Sequence, residues 1–308
     1  MPEIKLIVDE DNVDKRLDVY LKENTSFSRS EIQRFIEEGN VLLNGTIPNK
    51  KIKTELNDEV IINYEEVVES DIEPENIPLD IIYEDDDLIV INKPKGMVVH
   101  PDLAYNSGTL VNALLYHFKT LSDVNGKYRA GIVHRIDKNT SGLIVCAKNN
   151  EAHKKLAEQL ADKTCFRKYY AIVKGTFEHD EGEIDAPIGR NPNNRQMMAV
   201  TAKNSKQALT IFKVIERYGD STLLDVELKT GRTHQIRVHM KYINHPVLND
   251  NVYSKKVIDE TGQYLHAYYL SFIHPITNER MEFMSAMPEY MKEYIKSQGG
   301  NFYGYKRQ

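Results

Sequence analysis

An α+β architecture is predicted for most of this chain, with a small separate module ahead of it. Short apolar runs recur at 88–91, 143–147, 171–173, 209–215 and 223–228, and two helical stretches, near 108–118 and 150–162, alternate with them. Residues 65–87 carry 11 acidic side chains together with Pro74 and Pro78, and no Lys or Arg, which marks a boundary. The residues before that boundary have their own helix and turn signals. The predicted division is a module at 13–64, an acidic linker at 65–78, a main domain at 79–290 and a loose tail at 291–308.

In the module, Arg16-Leu17-Asp18-Val19-Tyr20-Leu21 begins a short helix. Ser28-Arg29-Ser30-Glu31 then reads as a capping box, with Ser28 as the cap and Glu31 reaching back. That second helix buries Ile32, Phe35 and Ile36 at i, i+3 and i+4, and turns Arg29 and Gln33 to another face. Gly39 ends it, and Asn44-Gly45 signals a hairpin.

The 308 residues suffice for a sizeable core plus an appendage, and a mean hydropathy of −0.52 is that of a water-soluble chain. The net charge is −6, but with the 11 acids of 65–87 set aside, 40 basic residues face 35 acidic ones. An acidic pI of 6.0 therefore does not exclude a nucleic-acid partner met through local patches. No apolar stretch approaches a membrane span, the acidic N-terminus lacks a signal-peptide pattern, and a cytoplasmic location is expected. Cys146 and Cys165 are too few for a disulfide framework. No internal repeat and no Gly-rich phosphate loop is present, so nothing suggests nucleotide hydrolysis.

Two motifs carry chemistry. The first is His134-Arg135-Ile136-Asp137-Lys138-Asn139-Thr140-Ser141-Gly142-Leu143, flanked by Ala130–Val133 and Leu143–Ala147, both predicted as short buried strands. Asp137 is either a held, reactive carboxylate or the acceptor of an Asx turn to the amides of Thr140 and Ser141, and this motif alone leaves the two even. The second motif is Thr230-Gly231-Arg232-Thr233-His234-Gln235-Ile236-Arg237-Val238-His239, predicted to follow on from the alternating strand Leu224–Leu228. A carboxylate in a partly dry site needs a fixed counter-charge, and Arg serves better than Lys because it is always charged and bidentate. A metal site of His134, His234, His239 and His266 is disfavoured, because His234 and His239 five apart on a strand face opposite ways.

These motifs resemble the signature of the RluA/RluD-type RNA pseudouridine synthases. Lys168-Tyr169-Tyr170-Ala171-Ile172-Val173-Lys174-Gly175 is similar to that family's Tyr-x-Ala-x-Val-x-Gly strand, and smaller matches at Asn92–Pro101, Leu265–Ala267 and Phe272–Pro275 keep the motif order over roughly 79–290. The module resembles the RNA-binding domain first seen in ribosomal protein S-four; its own charges nearly balance and would not identify RNA binding alone. The resemblance implies a mixed, mostly antiparallel bent sheet with flanking helices. It further implies isomerisation of uridine to pseudouridine in RNA, most of all large-subunit ribosomal RNA, by a monomer.

On this resemblance Asp137 is the nucleophile, Arg237 its salt-bridge partner and Tyr169 the side chain against the target base. Arg135 fills the gap left by a flipped uridine, and Arg16, Arg29, Arg34 and Lys51 contact RNA. No cofactor and no metal is expected, because the product is an isomer of the substrate. The chain departs from the family at His245–Ser254, where Asn249 and Ser254 replace two glycines; Asn adopts positive φ and Ser less easily. The alternative function is a non-catalytic RNA-binding or ribosome-assembly protein, against which the intact set Asp137, Tyr169 and Arg237 argues.

Overall fold

The computed structural model describes residues 2–27, 29–49, 52–64, 72–101, 105–194, 197–254 and 257–305. The chain falls into two compact units, Met1–Asp71 and Ile72–Gln308. Ser28 and Lys51, assigned above to a helix cap and an RNA contact, lie outside the described residues.

The first unit runs β1 (Glu3–Ile7), α1 (Leu17–Asn24), α2 (Arg29–Glu37), β2 (Val41–Leu43) and β3 (Glu59–Asn63). β3 is central and antiparallel to both other strands. Leu17, Tyr20 and Leu21 of α1 and Ile32, Phe35 and Ile36 of α2 meet Val41, Val60 and Ile62 in one core, as the i, i+3, i+4 spacing dictates. Asn44 and Gly45 both take positive φ and close a tight turn between Leu43 and Thr46. The expected hairpin goes no further, because Pro48 has no N–H for a second arm and β2 pairs with β3 instead.

The second unit contains β4 (Ile81–Glu84), β5 (Leu88–Lys93), α3 (Leu110–His117), β6 (Ser141–Ala147), α4 (Asn150–Ala161), β7 (Phe166–Lys174) and β8 (Glu181–Asp185). After these come β9 (Ile188–Arg190), β10 (Met198–Val200), β11 (Ser205–Lys206), β12 (Leu209–Arg217) and β13 (Ser221–Leu228). The chain continues with α5 (Gln235–Tyr242), β14 (Leu265–Ile273), β15 (Arg280–Met284) and α6 (Glu289–Ser297). Nine strands form one sheet in the order β4-β5-β6-β14-β7-β13-β12-β8, with β15 paired to β14. Every pairing in it is antiparallel except β6 with β14. This is the mixed, antiparallel-dominated α+β fold that the resemblance implied.

Alternation along the strands sends side chains to two cores. Ile89, Ile91, Ile144, Tyr169 and Ala171 join Leu110 and Leu114 of α3 and Ile236 and Met240 of α5 on one face. On the other face Leu88, Val90 and Val145 meet Leu156 of α4, while Tyr170, Ile172 and Leu223 meet Met291 and Ile295 of α6. Among the described residues, no helix is long and apolar enough to cross a membrane.

Three expectations are corrected. Ala130–Val133 is not a strand: it bends over the sheet, touching β6 by the single bridge Ile132–Cys146, because Gly131 at φ 73° turns the chain. The acidic stretch does not stay a free linker to residue 78. Ile72 and Ile77 pack on the main core, and Glu75 accepts from Gly108 N (2.9 Å) while its own N–H donates to Asn112 O (3.0 Å). Nor is 291–308 a loose tail through its described part. Met291 and Ile295 anchor α6, and Tyr305 N donates to Tyr170 Oη at 2.8 Å, with Phe302 and Tyr305 against the Tyr170 ring. The polar residues between these anchors masked them in the sequence.

Candidate active site

Asp137 sits on the loop entering β6, and two features fix that loop. Gly142 lies against β14 so closely that a Cβ there would stand 2.2 Å from Ala267 O, which only glycine permits at the parallel pairing. Lys93, wholly buried at the end of β5, uses all three N–H groups on carbonyls: Pro94 (2.8 Å), Met97 (2.9 Å) and, in the Asp137 loop, Lys138 (3.2 Å). The turn at 137–140 closes through the backbone oxygen of Asp137, to which Thr140 N donates at 3.0 Å. The carboxylate points elsewhere, so the Asx-turn reading fails.

Its partner is Arg237, whose Nη1 donates to Asp137 Oδ2 at 2.9 Å. The residues around Arg237 are helical rather than the predicted strand. β13 ends at Leu228, and α5 begins at Gln235 after His234 takes left-handed φ 57°. Gln235 explains the switch: its Oε1 accepts from Arg232 N (2.9 Å) and Thr230 Oγ1 (2.8 Å), and its Nε2 donates to Leu209 O and Thr210 Oγ1 on β12. A side chain that takes over these backbone groups starts a helix where a ladder would otherwise continue.

The other side of the Arg237 guanidinium is held by Asp250, a residue to which the sequence reading gave no role. Nε donates to Asp250 Oδ2 at 2.7 Å and Nη2 to Oδ1 at 3.0 Å, and Oδ1 also accepts from Val252 N and Tyr253 N. One guanidinium thus spans two carboxylates: Asp250 is fully enclosed, whereas the Asp137 side chain keeps 16% of its surface open. Burial opposes the charge on Arg237, but Asp250 and Asp137 outweigh it and raise its pKa further above the usual range. Asp250 lies within the His245–Ser254 stretch, and its signal was a carboxylate among otherwise uncharged residues. In the same stretch Asn249 adopts φ 57°, the glycine-like conformation, and its side-chain oxygen accepts from Ile258 N and Asp259 N.

Asp137, Arg135, Tyr169 and Arg237 line one open cleft together with Arg167, Leu228, Leu265 and the 231–236 segment. Tyr169 faces it; Tyr170, the next residue, faces the opposite core and stacks on Tyr268 at 3.9 Å. Burial pushes the Tyr169 phenol up to about 12, so it enters the cleft as a neutral donor. Arg135 is exposed at the cleft mouth, with Nη1 3.4 Å from His100 Nε2.

The four histidines considered for a metal do not converge. His134 Nε2 accepts from Val145 N; His239 bonds Thr210 and Ala186 O; His266 sits between Ser141 and Ser285; His234 bonds Tyr253. A grouping compatible with a metal elsewhere, Asp85, Asp87 and His274, is already hydrogen-bonded. His274 Nδ1 accepts from Ile276 N and Thr277 N, so Nε2 keeps its proton and donates to Asp85 at 2.9 Å.

In the first unit, buried Asp18 gathers two of the predicted RNA contacts. Arg16 Nε donates to Oδ1 at 2.9 Å, and Arg29 Nη2 lies 3.6 Å from Oδ2. The hydrogen bond from Arg16 leads the effects that lower the Asp18 pKa. Arg34 is exposed on α2, with its guanidinium 5.3 Å from the Phe35 ring centroid.

Burial lowers the Lys93 pKa to about 7, with the Asp137 charge acting the other way. Between about pH 7 and 10.5 the unfolded chain holds this proton and the folded chain does not, so Lys93 makes stability rise with pH there. Urea titrations from pH 7 to 9 should show wild type gaining on Lys93→Met by up to about 1.4 kcal/mol per pH unit. Parallel pH dependences would refute the shift.

Residues 87–242 match the family model described as RNA pseudouridylate synthase, and residues 15–60 match the S4 domain. The chain is 47% identical over 299 residues to the uncharacterized RNA pseudouridine synthase YlyB of Bacillus subtilis, spanning 96% of this chain and 98% of that one. It is 40% identical over 315 residues to ribosomal large subunit pseudouridine synthase D of Escherichia coli K12, spanning 97% and 95% of the two chains. Human RNA pseudouridylate synthase domain containing 4 shares the fold, with a TM-score of 0.57 at 22% identity over 73% of this chain and 94% of that one.

Proposed function

We propose that this chain, which belongs to the RNA pseudouridylate synthase family and is an RNA pseudouridine synthase, isomerises uridines of large-subunit ribosomal RNA with Asp137 as its nucleophile. The observation that carries the assignment is the Arg237–Asp137 pair at 2.9 Å, opening into the cleft that Tyr169 lines. A carboxylate so held is oriented by the guanidinium and reachable from the cleft. Tyr169 offers an aromatic face to an extruded uracil, and Arg135 at the mouth takes the place the base vacates in the stack. The large-subunit reading follows the name of the Escherichia coli relative. The enzyme works as a cytoplasmic monomer. Nucleotide-resolution pseudouridine mapping of total RNA, from cells with and without this protein, tests the proposal. Uridines of large-subunit RNA that lose their pseudouridine signal support it, and loss confined to transfer RNA would replace that substrate.

The first unit adds phosphate contacts through Arg16, Arg29, Arg34 and Lys51. Arg29→Ala/Arg34→Ala in the full chain should weaken RNA binding and flatten the slope of log affinity against log salt by about 1 per lost contact. Titrations at several salt concentrations check this. An unchanged slope would remove these two arginines from the interface.

A further inference from the structure

The cleft holds a buried cation that finds no partner among the described residues. Arg167 is 8% exposed and lines the same cleft as Asp137 and Tyr169; its side chain has no hydrogen bond or ion pair to any described residue, and its Nε is enclosed without an acceptor. The other arginines there are engaged: Arg237 by two carboxylates, Arg232 by Gln207 O at 2.9 Å, and Arg135 with His100 at the open mouth. Space is kept for the guanidinium by Gly231, where a Cβ would stand 2.8 Å from Arg167 Nη1. A buried guanidinium without a counter-charge destabilises a fold, and such groups persist where a substrate supplies the partner.

Two substrate groups could do so, a phosphate or the carbonyl oxygens of the uracil. Arg167 and Tyr169 are i and i+2 on β7 and so share a face, which sets the guanidinium beside the phenol rather than at the mouth where the RNA backbone must pass. We infer that Arg167 is a further catalytic residue, which takes up the negative charge that collects on the uracil carbonyl oxygens during the reaction. The inference rests on Asp137 attacking a uridine held in this cleft.

If a carboxylate oxygen of Asp137 bonds to ribose C1′, the C1′–N1 bond breaks and its electron pair passes to N1, delocalised onto O2 and O4. When C5 then bonds to C1′, the ester pair returns to Asp137, the C5 proton leaves to solvent and N1 takes one from solvent. If Asp137 instead adds to C6, the C5=C6 pair moves through C4 to O4. The C1′–N1 pair then passes to N1, which takes a proton from solvent, and the O4 pair returns through C5 to bond C1′. Loss of the C5 proton re-forms C5=C6 and expels the carboxylate. Either route places charge on a carbonyl oxygen of the uracil, and beside it a fixed guanidinium would favour the charged state over the neutral base.

The test uses Arg167→Met and Arg167→Lys with RNA containing the uridine that mapping identifies. The Met variant should lose at least about 100-fold in kcat while KM stays within about threefold of wild type, and Lys should restore part of the rate. Replacing the target with 5-fluorouridine, whose ring already draws charge from the breaking bond, should shrink the defect in the first chemical step. The melting temperature of Arg167→Met should equal or exceed that of wild type, since an unpaired buried charge has been removed; a structural arginine would give the opposite sign. A loss confined to KM would identify a phosphate contact and overturn the inference. So would a kcat near wild type for Arg167→Met, an undiminished defect with 5-fluorouridine, or a lowered melting temperature. A wild-type protein that forms no pseudouridine in any RNA would overturn the function proposed above, and this inference with it.

Discussion

Asp137→Asn should leave a folded protein whose turnover falls by a factor on the order of 10⁴ or more. The amide keeps the shape of the side chain and an oxygen that can accept from Arg237 Nη1, but it is not a competent nucleophile. Little stability should be lost, because Arg237 stays paired through the bidentate contact with Asp250, and that contact does not involve Asp137. RNA affinity should change little for the same reason: the cleft keeps its walls and its arginines. Single-turnover pseudouridine formation, a melting curve and a binding titration on the same preparation measure all three. A rate near wild type would end the nucleophile assignment whatever the other two showed.

Arg237→Met combines two losses. It strips Asp137 of its orienting charge, and it leaves Asp250, which has no accessible surface, with only backbone N–H donors. Orphaning a buried carboxylate typically costs about 3–5 kcal/mol, so denaturant unfolding should show a loss of that order together with a collapse in kcat. Arg237→Lys should rescue poorly, since one ammonium cannot present the fork that spans two carboxylates. Asp250→Asn separates the effects: it should lower kcat by loosening Arg237 while leaving Asp137 and its charge in place. An Arg237→Met protein as stable as wild type would contradict the buried bridge.

What the sequence made legible follows from how local each signal was. The strands at 88–91 and 143–147 are runs whose burial is written in consecutive residues, that at 223–228 shows in its alternation, and Tyr169 was singled out by the resemblance of Tyr169–Gly175 to the family's Tyr-x-Ala-x-Val-x-Gly strand. The segment at 230–239 misled because its polar residues fit a strand's alternation as well as a helix start. The deciding force was Gln235 bonding to Leu209 and Thr210, a tertiary contact invisible along the chain. Asp250 was overlooked for a related reason. A carboxylate in a loop usually meets water, and nothing local announces that this one meets Arg237. Arg167 received no role from the sequence, since only the enclosure of its side chain in the cleft without an acceptor sets it apart. The tail misled in the other direction, its few apolar anchors diluted among residues that face solvent.

The position of β14 governs when the site can exist. The strand carrying the Asp137 loop, β6, and the strand carrying Tyr169, β7, do not touch in the sheet; β14, from far downstream, lies between them. Until Leu265–Ile273 arrives, the sheet is two separate pieces, and the entropy of closing so long a loop must be overcome before the pieces share an edge. During synthesis Asp137, Tyr169, Arg237 and Asp250 all leave the ribosome before that strand does, so the nascent chain emerges inert. A chain that stopped short of Leu265 would possess each of those four side chains in its sequence and no active site in space.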